Sequence, residues 1–396
     1  MMPRAAGPGA DQAARREPTT APGAAARTAA SLTARQLGRP PAIAMAERHA
    51  APWVAPVALA TAALSLALAL TAAPAGAAPA KGFQFGVIGH SFKAGADAAV
   101  LRRAIAEASA GNTAFVVATG IKADSEPCSD KLYGQRRAML DAADKPMIVS
   151  LAGSDWTGCK NSAGRSNAIE RLNRLRELYF ADAESLGERR LTLTRQSASA
   201  KFRSYAENAH WEHGNVLFAT LNLPAKNNHF LPEAGRNSEF EDRLVANRAW
   251  LQRLFTLAAR KRLAGVVLFC DGDPGLQADQ GFSLLAGFQS GPNKQDGFAE
   301  PRRQLKTLAE KFNGKVLLVD AQGGAQAANG SPTGNGGAAG NGNAASAAAT
   351  GGEPAIVWRG NLGQLSLAAE WAELRVSPGA GALFTVKGGG ADAAQQ

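Results

Sequence analysis

Six apolar runs, at residues 83–88, 114–118, 146–151, 216–223, 265–270 and 316–320, recur along the chain, and each gives way to a turn or a polar loop. Helix-like stretches lie between them. Residues 96–109 carry apolar side chains at 99, 100, 101, 104 and 105, and residues 131–143, 169–180, 239–263 and 300–312 are similar. Strands alternating with helices imply an α/β architecture with a largely parallel sheet. Such strands are buried on both faces, which is why they read as continuous apolar runs, and they deliver their loops to a site at their carboxyl ends. Beyond residue 352 only strand-like runs remain, at 355–358, 371–376 and 382–386, which implies an antiparallel finish.

The two remaining low-information stretches mark boundaries. Residues 54–73 are apolar and uncharged, broken only by Thr61, Ser65 and Thr71, and Ala75-Gly76-Ala77 follows, the small-x-small pattern of a signal-peptide cleavage site. Met45, Arg48 and His49 precede the run, so residues 45–80 read as a signal peptide and 1–44 as a disordered or over-called N-terminus. The alternative is a retained membrane anchor at 54–73, since the run is long enough to span. Residues 323–352 hold ten Gly, ten Ala and four Asn with no charge and no aromatic, which predicts a low-complexity disordered loop. Strand-like sequence resumes after it, so 81–322 and 353–390 form one domain around an insert.

Charge excludes one class of partner. The first eighty residues hold seven of the 43 Lys+Arg and three of the 33 Asp+Glu, leaving the remainder at a mild +6 without a basic cluster interleaved with aromatics. Nucleic-acid binding is not supported. Of the three cysteines, Cys128 and Cys159 both lie in polar loops after apolar strands. Both should reach the same end of a parallel sheet, and an exported chain would oxidise them. Cys270 ends an apolar strand and reads as a buried free thiol.

The order of the motifs carries a resemblance. Phe85-Gly86-Val87-Ile88-Gly89-His90 is a strand ending in a glycine turn. Val117-Ala118-Thr119-Gly120-Ile121-Lys122 and Pro127-Cys128-Ser129-Asp130 follow, then Ser150-Leu151-Ala152-Gly153-Ser154-Asp155-Trp156-Thr157-Gly158-Cys159, and later His210-Trp211-Glu212-His213-Gly214. This series resembles the calcineurin-like metallophosphoesterase superfamily, and most of all a bacterial exported branch with a disulfide-bearing loop after the second motif. The resemblance implies a four-layer α-β-β-α sandwich with mixed sheets. It also implies a pair of divalent metal ions held by Asp, Asn and His at strand ends, which clamp phosphoryl oxygens and activate a water.

The chain departs from that pattern at nearly every ligand position. His90 stands where the first motif has its aspartate and Phe92 where it has its histidine. Gly120 replaces the bridging aspartate. Ser154 stands at the asparagine, with Asp155 next to it. Asp271 follows the fifth strand without a histidine, and Asp320 and Gln322 lie where the last motif has its two histidines. Changes in residues that merely orient metal ligands cost about 10–100-fold in affinity or activity, and here about five ligand positions differ together. The expectation is therefore a retained scaffold without cofactor, an exported binding or scaffold module for an unknown protein or small ligand. Two alternatives stand beside it. One is an active phosphoric-ester hydrolase with a rebuilt, mononuclear metal site, for which His90, Asp155 and Asp271 are the catalytic candidates. The other is a membrane-anchored structural protein, if 54–73 is retained. Lys122, Asn227, Asn228 and His229 are candidate rim residues. Lys122, Arg136 and Arg137 otherwise read as a solvated helix face, Trp211 as packing, His213 as a hairpin residue, and Trp250 and Phe255 as core.

Overall fold

The period-2 alternation inside each apolar run decides the architecture. In β1 (Phe83–Ile88), β2 (Thr113–Thr119) and β3 (Met147–Ser150), Phe85, Val87, Phe115, Val117 and Ile148 point to one side, while Ile88, Val116, Ala118, Met147 and Val149 point to the other. In β6 (Val216–Thr220), β7 (Gly265–Phe269) and β8 (Lys315–Asp320), the first kind is Phe218, Val267, Phe269, Leu317 and Val319, and the second Leu217, Ala219, Val266, Leu268, Val316 and Leu318. All the residues of the first kind pack into one shared core. The two sheets therefore lie face to face, and each has a second apolar face to cover. The computed structural model describes residues 81–89, 98–233, 235, 237–277, 295–323 and 354–389, all within one compact unit.

Helices cover both outer faces. Leu101, Ala104, Ile105 and Ala108 of α1 (Ala98–Ser109), Tyr133 and Leu140 of α2 (Asp130–Asp141), the single turn α3 (Gly153–Trp156), and Leu172, Leu175 and Tyr179 of α4 (Ala168–Tyr179) pack on the first sheet. A further single turn, α5 (Ala225–Asn228), precedes the long α6 (Ser238–Lys261). Trp250, Leu251, Leu254, Phe255 and Ala258 of α6 pack on the second sheet, together with Leu305 and Ala309 of α7 (Ala299–Glu310). Local signals agree with the helix ends. The Ser129 hydroxyl caps α2 by accepting from the Leu132 N–H at 3.2 Å. α6 closes with Arg260 and Lys261 in its last turn and Arg262 in the left-handed region.

The first sheet runs β12-β11-β1-β2-β3 and the second β4-β5-β6-β7-β8-β10-β9, with β4 at Thr194–Arg195, β5 at Ala209–His213, β9 at Val357–Arg359, β10 at Leu362–Ser366, β11 at Trp371–Val376 and β12 at Phe384–Gly389. β1–β2–β3 are parallel, as are β6–β7–β8, while β5–β6, β1–β11 and β11–β12 are antiparallel. The wholly antiparallel finish expected after residue 352 is corrected at one strand. β10 lies parallel to β8, with Leu362 opposite Val316 and Ser366 opposite Asp320. Its sequence, Leu-Gly-Gln-Leu-Ser, is too short and too mixed to announce a buried strand. Gly363 is there because the Trp358 ring covers it, and an added Cβ would meet that ring at 2.8 Å.

Cys128 and Cys159 form a disulfide. It ties the loop before α2 to the loop after α3 and closes a ring worth roughly 3–4 kcal/mol on the chain-entropy account. Cys270 is free and buried, as expected. Trp211, Trp250 and Phe255 are core, and His213 sits at the β5–β6 hairpin.

Candidate functional site

The carboxyl ends of β2, β3, β7 and β8 and the loop after β6 open on a common cleft of about 460 Å³. Thr119, Gly120 and Lys122 line it from the first strand end, Ala152, Gly153 and Ser154 from the second, Ala225 and Lys226 from the loop after β6, and Asp271 and Gln322 from the ends of β7 and β8. Most of the separate motif positions thus meet in one place. His90 and Phe92 lie outside the described residues, as do residues 1–80, where a signal peptide is expected, and all but the first position of the Gly/Ala-rich stretch 323–352.

The carboxylates at this end are already engaged. Asp155 is fully buried, and its oxygens accept from the backbone N–H groups of Ala152 (2.8 Å), Ile121 (2.9 Å) and Lys122 (3.3 Å). It staples the β2 loop to the β3 loop and does not face the cleft as a free acid. Burial pushes its pKa up to about 7 against the pull of those donors. One oxygen of Asp271 accepts from both Gly153 N–H and Ala225 N–H at 2.7 Å, and the other accepts from the Gln322 amide at 3.1 Å. Asp271 therefore joins the strand ends of the two sheets. Asp320 sits behind, accepting from Gln322 N–H (2.9 Å), the Gln364 amide (2.7 Å) and the Ser366 hydroxyl (2.8 Å), and burial raises its pKa to about 6. Gln364, on the unforeseen β10, also donates to Asp273 at 2.8 Å.

Lys122 overturns the expectation of a solvated face. It is 1 % exposed, and its ammonium donates to the carbonyls of Ser154 (2.6 Å) and Ala123 (2.8 Å). Burial lowers its pKa, partly opposed by the charges of Asp155 and Asp124. Arg136 is buried as well, paired with Glu126 at 2.6 Å. Gly120 has φ +83°, and an added Cβ would stand 3.0 Å from that of Ala152. The chain path itself thus favours glycine where the resembling motif has an acid.

The loop after β6 contains four successive non-glycine residues in the left-handed region: Lys226, Asn227, Asn228 and His229, with φ between 54° and 60°. Each costs about 1–2 kcal/mol, so the surroundings must impose the shape. Arg243 of α6, fully buried, donates to the Asn228 side-chain and main-chain oxygens and pairs with Glu239 at 2.7 Å. The Asn228 amide donates to Gly297 O, the Asn227 side chain accepts from Gly297 N–H, and His229 meets Glu239 at 3.1 Å and the Trp156 ring edge-on. Burial alone would raise the Glu239 pKa, but Arg243 and His229 bring it down to about 2. The turn holds Lys226 at the cleft mouth, where it pairs with Asp124 at 2.5 Å. Of the rim candidates, Lys122 lines the cleft, whereas Asn227, Asn228 and His229 support the turn beside it. The three described histidines make separate contacts. His210 packs against Trp250 of α6, His213 against the rings of Phe83 and Phe115, and His229 against Trp156.

Sequence reading missed Lys226, Asp124 and Arg243. The Asn-Asn-His run in the loop after β6 was the available signal, since Asn and His are enriched in left-handed backbone. Among the described residues, no three His, Cys, Asp or Glu side chains are grouped so as to hold a metal ion. The fold and cleft together define an α/β protein of two face-to-face mixed sheets with a polar strand-end site. No protein-family model matches the chain, and no curated protein matches it.

Proposed function

We propose that the chain is an exported protein of calcineurin-like metallophosphoesterase architecture whose strand-end cleft binds rather than hydrolyses, serving as a binding or scaffold module. The observation that carries this reading is the state of Asp271. One of its oxygens accepts two backbone N–H groups and the other a side-chain amide. A carboxylate that bridges or anchors metal ions must offer its lone pairs to them, and here backbone from both sheets uses them. The remaining donor set does not fit a pair of divalent ions either. Gly120 contributes no side chain, and the nearest charge on that strand end is the buried Lys122 ammonium, which would repel a cation. The Cys128–Cys159 bond supports export, since such bonds persist in oxidising compartments. Among the described residues, no helix is long and apolar enough to cross a membrane.

The test uses purified protein freed of its leader. Metal content is measured by mass spectrometry, and turnover of an aryl phosphate is followed with Mn²⁺, Mg²⁺, Ca²⁺ and Zn²⁺ in turn. The expected result is no stoichiometric metal and no turnover above the uncatalysed rate. Stoichiometric metal with turnover abolished by Asp271→Ala would replace this reading with that of a hydrolase using a rebuilt site. Mass spectrometry of the exported chain decides whether residues 54–73 are removed or kept as an anchor.

A further inference from the structure

A second, larger concavity of about 850 Å³ lies away from the cleft, between the exposed face of α6 and the β4–β5 edge of the second sheet, and it shares no lining residue with the cleft. Five cations line it and one acid, Glu212. Two of the cations are neutralised within the chain, Lys261 by Glu212 at 2.6 Å and Arg248 by Glu300. The other three, Lys201, Arg253 and Arg260, are exposed and meet no acid among the described residues. Lys201 only rests 5.6 Å from the ring centre of Phe202. On the floor, His210 is 7 % exposed, and its Nδ1 has no hydrogen-bond partner. Burial, then the nearby Arg253, pushes the His210 pKa down to about 4, so the ring is neutral at ordinary pH and adds no charge to the groove floor.

Two further features narrow the chemistry. β5 has an open rung. Asn208 O accepts from Gln196 N–H, and Thr194 stands opposite His210, so alternate residues of β5 present their backbone toward β4. Glu212 is the next in that series, and among the described residues no backbone hydrogen bond joins it to Thr192, the residue that would continue β4 opposite it. The groove wall is also partly aliphatic, with Val245 half-exposed, Ala249 one turn further along α6 and Leu257 about two turns beyond that. From Val245 to Lys261 the helix spans about 24 Å, the length of roughly seven extended residues.

We propose that this groove docks an extended acidic peptide segment of a partner protein. Its carboxylates meet Arg253, Arg260 and Lys201, its backbone pairs with the Glu212 rung, and separate aliphatic side chains rest on Val245 and on Leu257, about 18 Å apart along α6. A polyphosphate or an anionic polysaccharide could use the charge, but it could use neither the backbone rung nor the aliphatic wall. The inference is independent of the cleft's function, because it draws on none of the cleft's residues.

The experiment measures fluorescence anisotropy of a fluorescein-labelled peptide of about nine residues alternating Glu with Val, titrated with the full exported protein. Three companions are titrated alongside: the same peptide with Gln for Glu, the same peptide N-methylated at its central amides, and heparin oligosaccharide with short-chain polyphosphate as non-peptide anions. Saturable binding is expected, weakened about tenfold or more by Arg253→Glu with Arg260→Glu, in the Gln peptide, and by raised salt. N-methylation should weaken it several-fold. Both arginines are exposed, and melting curves report whether the double variant folds. Lys201→Glu, on the opposite wall, must weaken binding in the same direction. Absence of saturable binding, binding indifferent to these charge reversals, or displacement by heparin or polyphosphate at lower charge-matched concentration than the acidic peptide requires would each overturn the proposal.

Discussion

The cleft and the groove use charge in opposite ways. Of the charged side chains lining the cleft, Lys122 is bound to two carbonyls, Asp271 to two backbone N–H groups and an amide, and Lys226 and Asp124 to one another. Along the groove, three exposed cations have no such partner among the described residues. A polar group satisfied inside the chain contributes to folding and has little left to offer a ligand, whereas an unsatisfied one at the surface is available. The cleft has the position of a functional site but the bonding of a structural one. The groove, on the flank of the fold, has the bonding of a recognition surface.

The sharpest way to break that comparison is to cut the cleft's internal bonding. Asp155→Ala leaves three backbone N–H groups buried without acceptors and should cost about 3 kcal/mol or more at pH 5, read by urea denaturation. The pH dependence has a definite sign. The Asp155 pKa is raised in the folded state, so the folded chain holds that proton longer. The stability that this contributes is fully present below about 3.8 and is lost as pH rises toward 7. The gap between wild type and variant should therefore narrow from pH 5 to pH 8. A gap that widens would mean that the carboxylate is not the buried staple described here.

The next effect lies in the support of the left-handed turn. The folded pKa of Glu239 is depressed from 4.5 to about 2, so its contribution is present above 4.5 and lost as pH falls through 2. A shift of that size corresponds to about 3 kcal/mol. Glu239→Gln should remove roughly one proton from the acid limb of the stability–pH curve between those values, with little change of slope above pH 5. Smaller again is Gly120→Asp, which restores an acid where the resembling motif has one. The positive φ and the 3.0 Å approach to Ala152 should make it destabilising by about 2 kcal/mol, and no metal-dependent phosphatase activity should appear. Appearance of such activity would show that the cleft retains the cation site that its bonding argues against.

The legible parts of the fold were those written in local pattern. The runs that became β1, β2, β3, β6, β7 and β8 were visible because burial on both faces demands unbroken apolar sequence, and the helices because one face must be apolar. β4 was not legible, because two residues of edge strand carry no period, and β10 was not, because a Gly and a Gln sit where a tryptophan and two acids happen to need them. At the site, the meeting of Thr119, Ser154 and Asp271 followed from the strand-end rule, whereas Asp320, expected with them, sits behind the cleft and Gln322 takes its place in the lining. What each side chain does there did not. Whether Asp155 faces a cavity or three backbone N–H groups depends on how two loops close on one another, and no spacing in the sequence records that. Lys122 is the same case in reverse, since a lysine after a strand reads as solvated until the carbonyls that receive it are in place.

The smallest expected effect bears on the cleft mouth. Lys226 and Asp124 are both more than half exposed, and their pair bridges the left-handed turn and the β2 loop. Water and salt screen such a pair, so its loss should cost well under about 1 kcal/mol, and Lys226→Ala should leave the melting temperature within about 2 °C of wild type. The four-residue left-handed turn should persist, because Arg243, Gly297 and Glu239 hold it from beneath and the Lys226 side chain contributes no bond to that support; its carbonyl, which accepts from the His229 N–H, is kept in the variant. A double-mutant cycle with Asp124→Ala measures the coupling directly, and amide hydrogen exchange at residues 226–229 measures whether the turn survives. If the single substitution frees those amides, the surface pair, and not the buried arginine, is what keeps the strained backbone in place. The cleft would then depend on solvent-exposed charge as the groove does, and the contrast between the two regions would fail at its rim.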